Sequence, residues 1–246
     1  MSGHNKWSSI KHKKGANDAK RSKMFSKIIK EITIAVRESG PDPSSNPRLR
    51  LSISNAKGCN MPKDNIQRAI HKASDKNASA LIETTYEGHG PGGIAIFVES
   101  TTDNQQRTIS NIRSYFNKHG GSLGTNGSLN FLFDRKGIFI IPQNDLKEDD
   151  FILEIIDEGA EDVELEDKFF TITTKMEDFG SMMKKIEQMN IEPENATLQR
   201  IPKNTVKLDT ETAKKILNLI DIFEDDDDVQ EVYHNLEITD ELMKGM

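Results

Sequence analysis

The sequence predicts an α+β fold of three domains: an N-terminal three-helix domain, then two ferredoxin-like α/β domains, one inserted into the other. Three observations carry this. Apolar residues recur at helical spacing through the opening third of the chain, punctuated by Gly-Pro and Asn-Pro pairs. Beyond residue 76, strand-sized apolar runs alternate with helical ones. Within that part, residues 136–203 read β-α-β-β-α-β, a complete split βαβ order, whereas the pieces on either side are incomplete alone. The expected divisions are 1–76, then 77–134 joined to 205–246, with 135–204 inserted.

Asp18 is placed to cap a first helix that runs to about Ser39, where Gly40 and Pro41 stop it. Phe25, Ile28, Ile29, Ile32 and Val36 form its apolar face. Asn46 and Pro47 are an N-cap and a first-turn proline for a helix over Arg48–Lys57 that Gly58 ends. Pro62 opens a third helix, with Ile66, Ala69, Ile70 and Ala73 inward. Strands are expected at Glu83–Glu87 and Ile94–Ser100, with the turn Gly88–Gly93 between them. Asp103 then caps a helix through Lys118, and the Gly-rich stretch Gly120–Gly127 leads to a strand over Leu129–Phe133. The insertion supplies a strand at Ile138–Pro142, a helix at Lys147–Glu158, strands at Asp162–Leu165 and Phe169–Thr173, a helix at Asp178–Met189 and a strand at Ala196–Ile201. Asp209 caps a last helix to Phe223, and a last strand covers Val229–Leu236.

Charge divides the chain. Residues 1–76 hold 17 Lys/Arg against 6 Asp/Glu, a net of +11; residues 77–246 hold 16 against 34, a net of −18. A basic head on an acidic body is the pattern of a polyanion binder whose grip lies at one end. Lys6, Lys11, His12, Lys13 and Lys14 form an adaptable arm. Lys20, Arg21, Lys23, Lys27 and Lys30 continue it along the first helix, and Lys20, Lys23, Lys27 and Lys30 fall three or four apart on one face. A merely solvated face would carry Glu among the Lys as stabilising pairs; this one does not. These ten residues are the expected nucleic-acid-binding set. Trp7 either stacks on a base or staples the arm to the bundle. The apolar side of the helix is needed by the bundle, so insertion into a membrane is not expected.

No apolar run approaches the roughly 20 residues that a membrane helix needs, and the start MSGHNKW lacks the apolar region of a signal peptide. A cytoplasmic location is expected. The single cysteine, Cys59, excludes an intrachain disulfide and a cysteine metal cluster. The loop Gly88–Gly93 lacks the Gly-Lys-Ser/Thr of a phosphate loop and is followed by a strand, so it reads as a hairpin turn with His89 at the surface. Asp225–Asp228 lacks the spacing of a calcium loop and reads as a solvated acidic turn. The histidines have no zinc spacing. No nucleophile elbow or kinase-like set is present. A non-enzyme is expected, acting as a monomer with no cofactor, no metal and no small-molecule substrate.

The segments GHNKWSSIKHKKGANDAKRSKMFSKIIKEI (3–32), NPRLRLSISNAKGCNMPKDNIQRAI (46–70), YEGHGPGG (86–93), TDNQQRT (102–108), HGGSLGTNGSLNFLFDRKG (119–137) and DDVQEVYHNL (227–236) resemble the YebC family. The resemblance covers nearly the whole chain in register. In the loop at 86–93 the family more often has an aromatic residue at the position of His89. The family includes bacterial proteins described as probable transcriptional regulators and a mitochondrial translational activator. The resemblance implies three domains, the last inserted in the second, and two classes of partner. One is RNA and the ribosome, with a role in easing stalled elongation. The other is promoter DNA, with a role in transcription. The helix face offers Lys, which binds phosphate with little base discrimination, where a DNA reader would present Arg, Asn or Gln. That favours structured RNA. Two readings of other classes are a protein-interaction scaffold and an RNA-directed enzyme, for which Glu87, His89 and His119 are the candidate acids and bases.

Overall fold

The computed structural model describes residues 18–75, 80–239 and 242, with side chains from residue 21. The fold is α+β: helices first, then two four-stranded antiparallel sheets with their own helices. Among the described residues the helices are α1 (Asp18–Ser39), α2 (Pro47–Gly58), α3 (Lys63–Ala73), α4 (Gln105–Lys118), α5 (Glu148–Asp157), α6 (Phe179–Gln188) and α7 (Thr210–Asp225). The strands are β1 (Ile82–His89), β2 (Ala95–Thr102), β3 (Ser122–Leu123), β4 (Phe133–Pro142), β5 (Ala160–Glu166), β6 (Phe169–Lys175), β7 (Asn195–Pro202) and β8 (Val229–His234). Among the described residues two compact units emerge: one gathers 18–27 with 80–134 and 201–239, the other gathers 28–75 with 135–200.

The first unit is built on the sheet β3-β1-β2-β8. β1 and β2 form a hairpin from Ile82 opposite Thr102 to His89 opposite Ala95. Its connection is a single 3-10 turn, Pro91–Gly93, in which Gly92 and Gly93 have φ of 69° and 76°, a region that glycine enters without steric cost. β2 is central and buried on both faces. Ile96 and Val98 pack with Ile112 and Phe116 of α4 and with Ile216, Ile220 and Phe223 of α7. Ala95 and Phe97 face a smaller cluster made with Leu129, Phe133 and Tyr233. Each such fully buried Ile or Phe contributes about 1.5–3 kcal/mol.

The second unit is built on the sheet β5-β6-β4-β7, the strand order of a ferredoxin-like domain. Phe139 and Ile141 of β4 alternate inward with Phe170 and Ile172 of β6, against Phe151 and Ile155 of α5 and Met182 and Ile186 of α6. Leu51 of α2 packs against the same cluster. Asn55 of α2 donates to the carbonyl of Ala196 and accepts from its N–H, both at 2.9 Å. Asn46 ties α1 to α2: its Oδ1 accepts from the Leu49 N–H at 3.0 Å, and Nδ2 donates to the carbonyls of Ala35 (2.6 Å) and Gly40 (2.8 Å), while Arg48 of α2 pairs with Glu31 (3.2 Å) and Glu38 (3.0 Å) of α1. Gly40, at φ 87°, is the expected stop of α1.

Four expectations are corrected. The cap of α4 is Asn104, whose side chain accepts from the Arg107 N–H, and not Asp103, which pairs with the Arg107 guanidinium. Leu129–Phe133 is not a strand: Asn130–Leu132 is a 3-10 turn and β4 begins at Phe133. That turn buries Leu129 and Phe133 and leaves Phe131 68% exposed. A two-residue strand, β3, lies in the Gly-rich stretch and pairs with Gly88 and His89. The apolar face of α1 is fully buried only toward its C-terminal end, at Ile32 and Val36, while Phe25 and Ile28 are half-buried and Ile29 is 37% exposed.

Candidate nucleic-acid interface

The expected binding set begins outside the described residues. Lys6, Lys11, His12, Lys13 and Lys14 lie there, as does Trp7, and of Lys20 only the helical backbone is described. The rest sits on α1. Lys23, Lys27 and Lys30 follow one another at four and three residues, so helical geometry puts them in one stripe. Arg21 is exposed and lies over the ring of Phe25, 5.5 Å from its centroid, a cation–π contact that holds the guanidinium at the surface.

Two lysines of the stripe are engaged within the first unit. Lys23 Nζ meets Asp225 Oδ1 at 2.5 Å, with the Asp225 carbonyl 3.4 Å away. Lys27 Nζ donates to the carbonyl of Gln230 on β8 at 2.9 Å. The Lys23–Asp225 side chains are 40% and 74% exposed. A pair so open to water contributes under about 1 kcal/mol, so a phosphate oxygen can replace Asp225 at little cost.

The acidic run is therefore not the solvated turn expected of Asp225–Asp228. Besides Asp225 on Lys23, Asp226 Oδ2 accepts from Tyr115 Oη at 2.9 Å and Asn111 Nδ2 at 3.1 Å. Asp228 is buried and accepts from the guanidinium of Arg107 through both oxygens at 2.7–3.0 Å, and from Thr108 Oγ1 at 2.9 Å. Burial first, then the hydrogen bond to Asp226, pushes the Tyr115 phenol up to about 12. Three carboxylates in four positions thus tie α1 and α4 to the start of β8. Sequence shows the run but not its partners, which lie more than 100 residues away.

The glycine loops are held by Glu87. Its side chain is buried, and its two oxygens accept from the N–H groups of Gly127 (2.7 Å) and Leu129 (2.5 Å). The Gly124 N–H bonds to the Glu87 carbonyl at 2.7 Å. The loops also touch by backbone: a Cβ on Gly88 would lie 2.5 Å from the Ser122 carbonyl oxygen, and one on Gly121 2.5 Å from that of His89. Of the acids and bases considered for an enzyme, Glu87 is committed to these bonds and His89 is exposed. His119 closes α4 through its own N–H. Among the described residues no hydrogen bond joins the three side chains to one another. Among the described residues, no group of three or more His, Cys, Asp or Glu could hold a metal ion, and no helix is long and apolar enough to cross a membrane.

Comparison with known proteins covers nearly the whole chain. Residues 5–76 match the family model described as the TACO1/YebC protein N-terminal domain, and residues 81–236 match the one described as the TACO1/YebC second and third domain. A protein of Amoebophilus asiaticus named "Probable transcriptional regulatory protein" is 52% identical, over 96% of this chain and 98% of that one. A protein of the same name from Rubrobacter xylanophilus is 48% identical, over 99% and 98%. The crystal structure of a conserved hypothetical protein from Aquifex aeolicus is 42% identical, with a TM-score of 0.83, over 92% of this chain and 94% of that one. With both its N-terminal helical part and its α/β parts matched in order, the chain belongs to the TACO1/YebC family.

Proposed function

We propose that this chain is a nucleic-acid-binding regulator of gene expression that grips phosphate with its basic N-terminal segment. In this reading it acts on RNA at the ribosome, where it eases stalled elongation, and it does so in the cytoplasm as a monomer without enzymatic activity. The observation that carries the reading is the continuity of cations from Lys6 to Lys30, opposed only by Asp18, against an acidic remainder that repels nucleic acid. The three expected domains divide the work. Residues 1–76 hold the polyanion; 77–134 with 205–246 anchor the base of α1 through Asp225 and Gln230; 135–204 repel phosphate by virtue of their net negative charge. Lys is a point charge with little base discrimination, which suits structured RNA. A second reading, binding to promoter DNA, is favoured by the names of the bacterial relatives.

The test is a salt titration of binding to purified ribosomes, ribosomal RNA and duplex DNA, comparing the wild type with Lys13→Glu/Lys14→Glu. Affinity of the wild type falls steeply with salt, and the variant loses binding while its circular dichroism is unchanged. Unchanged association of the variant removes the phosphate-grip reading. Tighter binding to duplex DNA than to ribosomal RNA at equal salt moves the conclusion to the second reading.

A further inference from the structure

α5 carries two features that its own stability does not require. Leu153 and Ile156, three residues apart and so on one face, are 65% and 50% exposed, while Phe151 and Ile155 on the other face are buried in the core. Flanking them on the exposed face are Asp149 and Asp157. Asp149 lies in the first turn, where the helix dipole favours it. Asp157 lies in the last turn and Glu158 at the C-cap, where the dipole disfavours a carboxylate, and no basic residue in the last turn offsets them. α5 has no Lys or Arg of its own. Lys185 reaches it from α6, bonds Glu154 at 2.6 Å and is also felt by Asp157 and Glu158, one cation against three carboxylates.

Charge selects the occupant. Residues 135–200 hold 8 Lys/Arg against 17 Asp/Glu, so nucleic acid and anionic lipid are repelled from this surface. A second copy docked symmetrically through the same face would set Asp149 and Asp157 against their own equivalents. We infer that the outer face of α5 docks a lysine- or arginine-rich protein segment that lays aliphatic or aromatic side chains over Leu153 and Ile156 while its cations meet Asp149 and Asp157. The site is independent of the N-terminal phosphate grip and would let the chain hold a basic protein and a polyanion at once.

The test uses the full chain and a fluorescein-labelled amphipathic peptide of lysines and leucines, with a counterpart in which glutamine replaces each leucine. Fluorescence anisotropy is read for the wild type, Leu153→Ser/Ile156→Ser, Asp149→Lys/Asp157→Lys, and the control Glu211→Lys/Asp134→Lys, which makes the same change of net charge elsewhere. The wild type and the control bind the leucine peptide, the two α5 variants lose about tenfold or more, and the glutamine peptide binds more weakly throughout. Absence of binding, an equal loss in the control, or indifference to Leu153→Ser/Ile156→Ser overturns the inference. So does sedimentation showing that the wild type self-associates through this face. RNA binding is measured on the same proteins and is unchanged in the α5 variants. A wild type that binds peptide but no nucleic acid supports the docking face and removes the proposed function instead.

Discussion

Glu87→Gln is the most informative single change outside the basic segment. The carboxylate is buried and each oxygen serves one backbone donor, Gly127 N–H at 2.7 Å and Leu129 N–H at 2.5 Å. Glutamine keeps the shape but supplies one acceptor and one amide NH2, so one N–H loses its acceptor and faces a donor. A buried donor left unsatisfied costs about 1–3 kcal/mol, and the surviving bond, no longer charge-assisted, weakens as well. Opening of the 124–129 loop should therefore become easier by about 2–3 kcal/mol, or roughly 30- to 150-fold in the opening equilibrium. Amide hydrogen exchange reads this residue by residue: the Gly127 and Leu129 amides exchange faster by that factor, while those of β6 in the second unit do not change. If the two amides keep their protection in Glu87→Gln, the carboxylate is not what holds the loop. Glu87 would then return as a chemically available acid.

Asn46→Ala removes a helix cap and the partners of two carbonyls, and should cost about 2 kcal/mol, read as a lower urea midpoint for the helical signal. Asn46→Asp retains the cap acceptor and should recover only part of that loss; full recovery would show that the bonds to Ala35 and Gly40 contribute nothing. Tyr115 gives a pH dependence. Its phenol is raised to about 12 in the folded chain, so its contribution to stability is complete below about pH 10, the ordinary tyrosine value, and is lost as pH climbs from there through 12. Tyr115→Phe should flatten thermal stability over that window; an identical decline in wild type and variant would place the effect elsewhere.

Local signals were legible in the sequence and distant ones were not. Gly40 and the Asn46-Pro47 pair mark the junction of α1 and α2 because helix ends are set by backbone needs that neighbouring residues meet. The β-α-β-β-α-β order of residues 136–203 was readable because period-2 alternation at Phe139–Ile141 and Phe170–Ile172 follows from burial of one sheet face. Asp103 and Asn104 are adjacent residues of similar capping strength, and the outcome turned on Arg107, which takes the Asp103 carboxylate. The segment Leu129–Phe133 has the alternation of a strand, but Glu87, more than 40 positions earlier, captures the Leu129 N–H, and Asn130–Leu132 turns instead. Composition marked the acidic run, yet each carboxylate's role depends on which helix the fold brings to it. Likewise the lysine stripe was visible, while the acceptors of Lys23 and Lys27 belong to residues some 200 positions downstream.

The bond from Lys27 to Gln230 has a consequence for truncation. It joins α1 to β8, and the Lys23–Asp225 pair joins α1 to the end of α7, so these two links of the first unit to its basic helix are made by two lysines one helical turn apart. A chain shortened to begin after Lys27 would lose both links at once, along with eight of its 33 Lys and Arg residues. Weaker polyanion binding by such a chain would then reflect lost anchoring as well as lost charge. The same amine that is proposed to meet phosphate thus also fastens the helix that carries it.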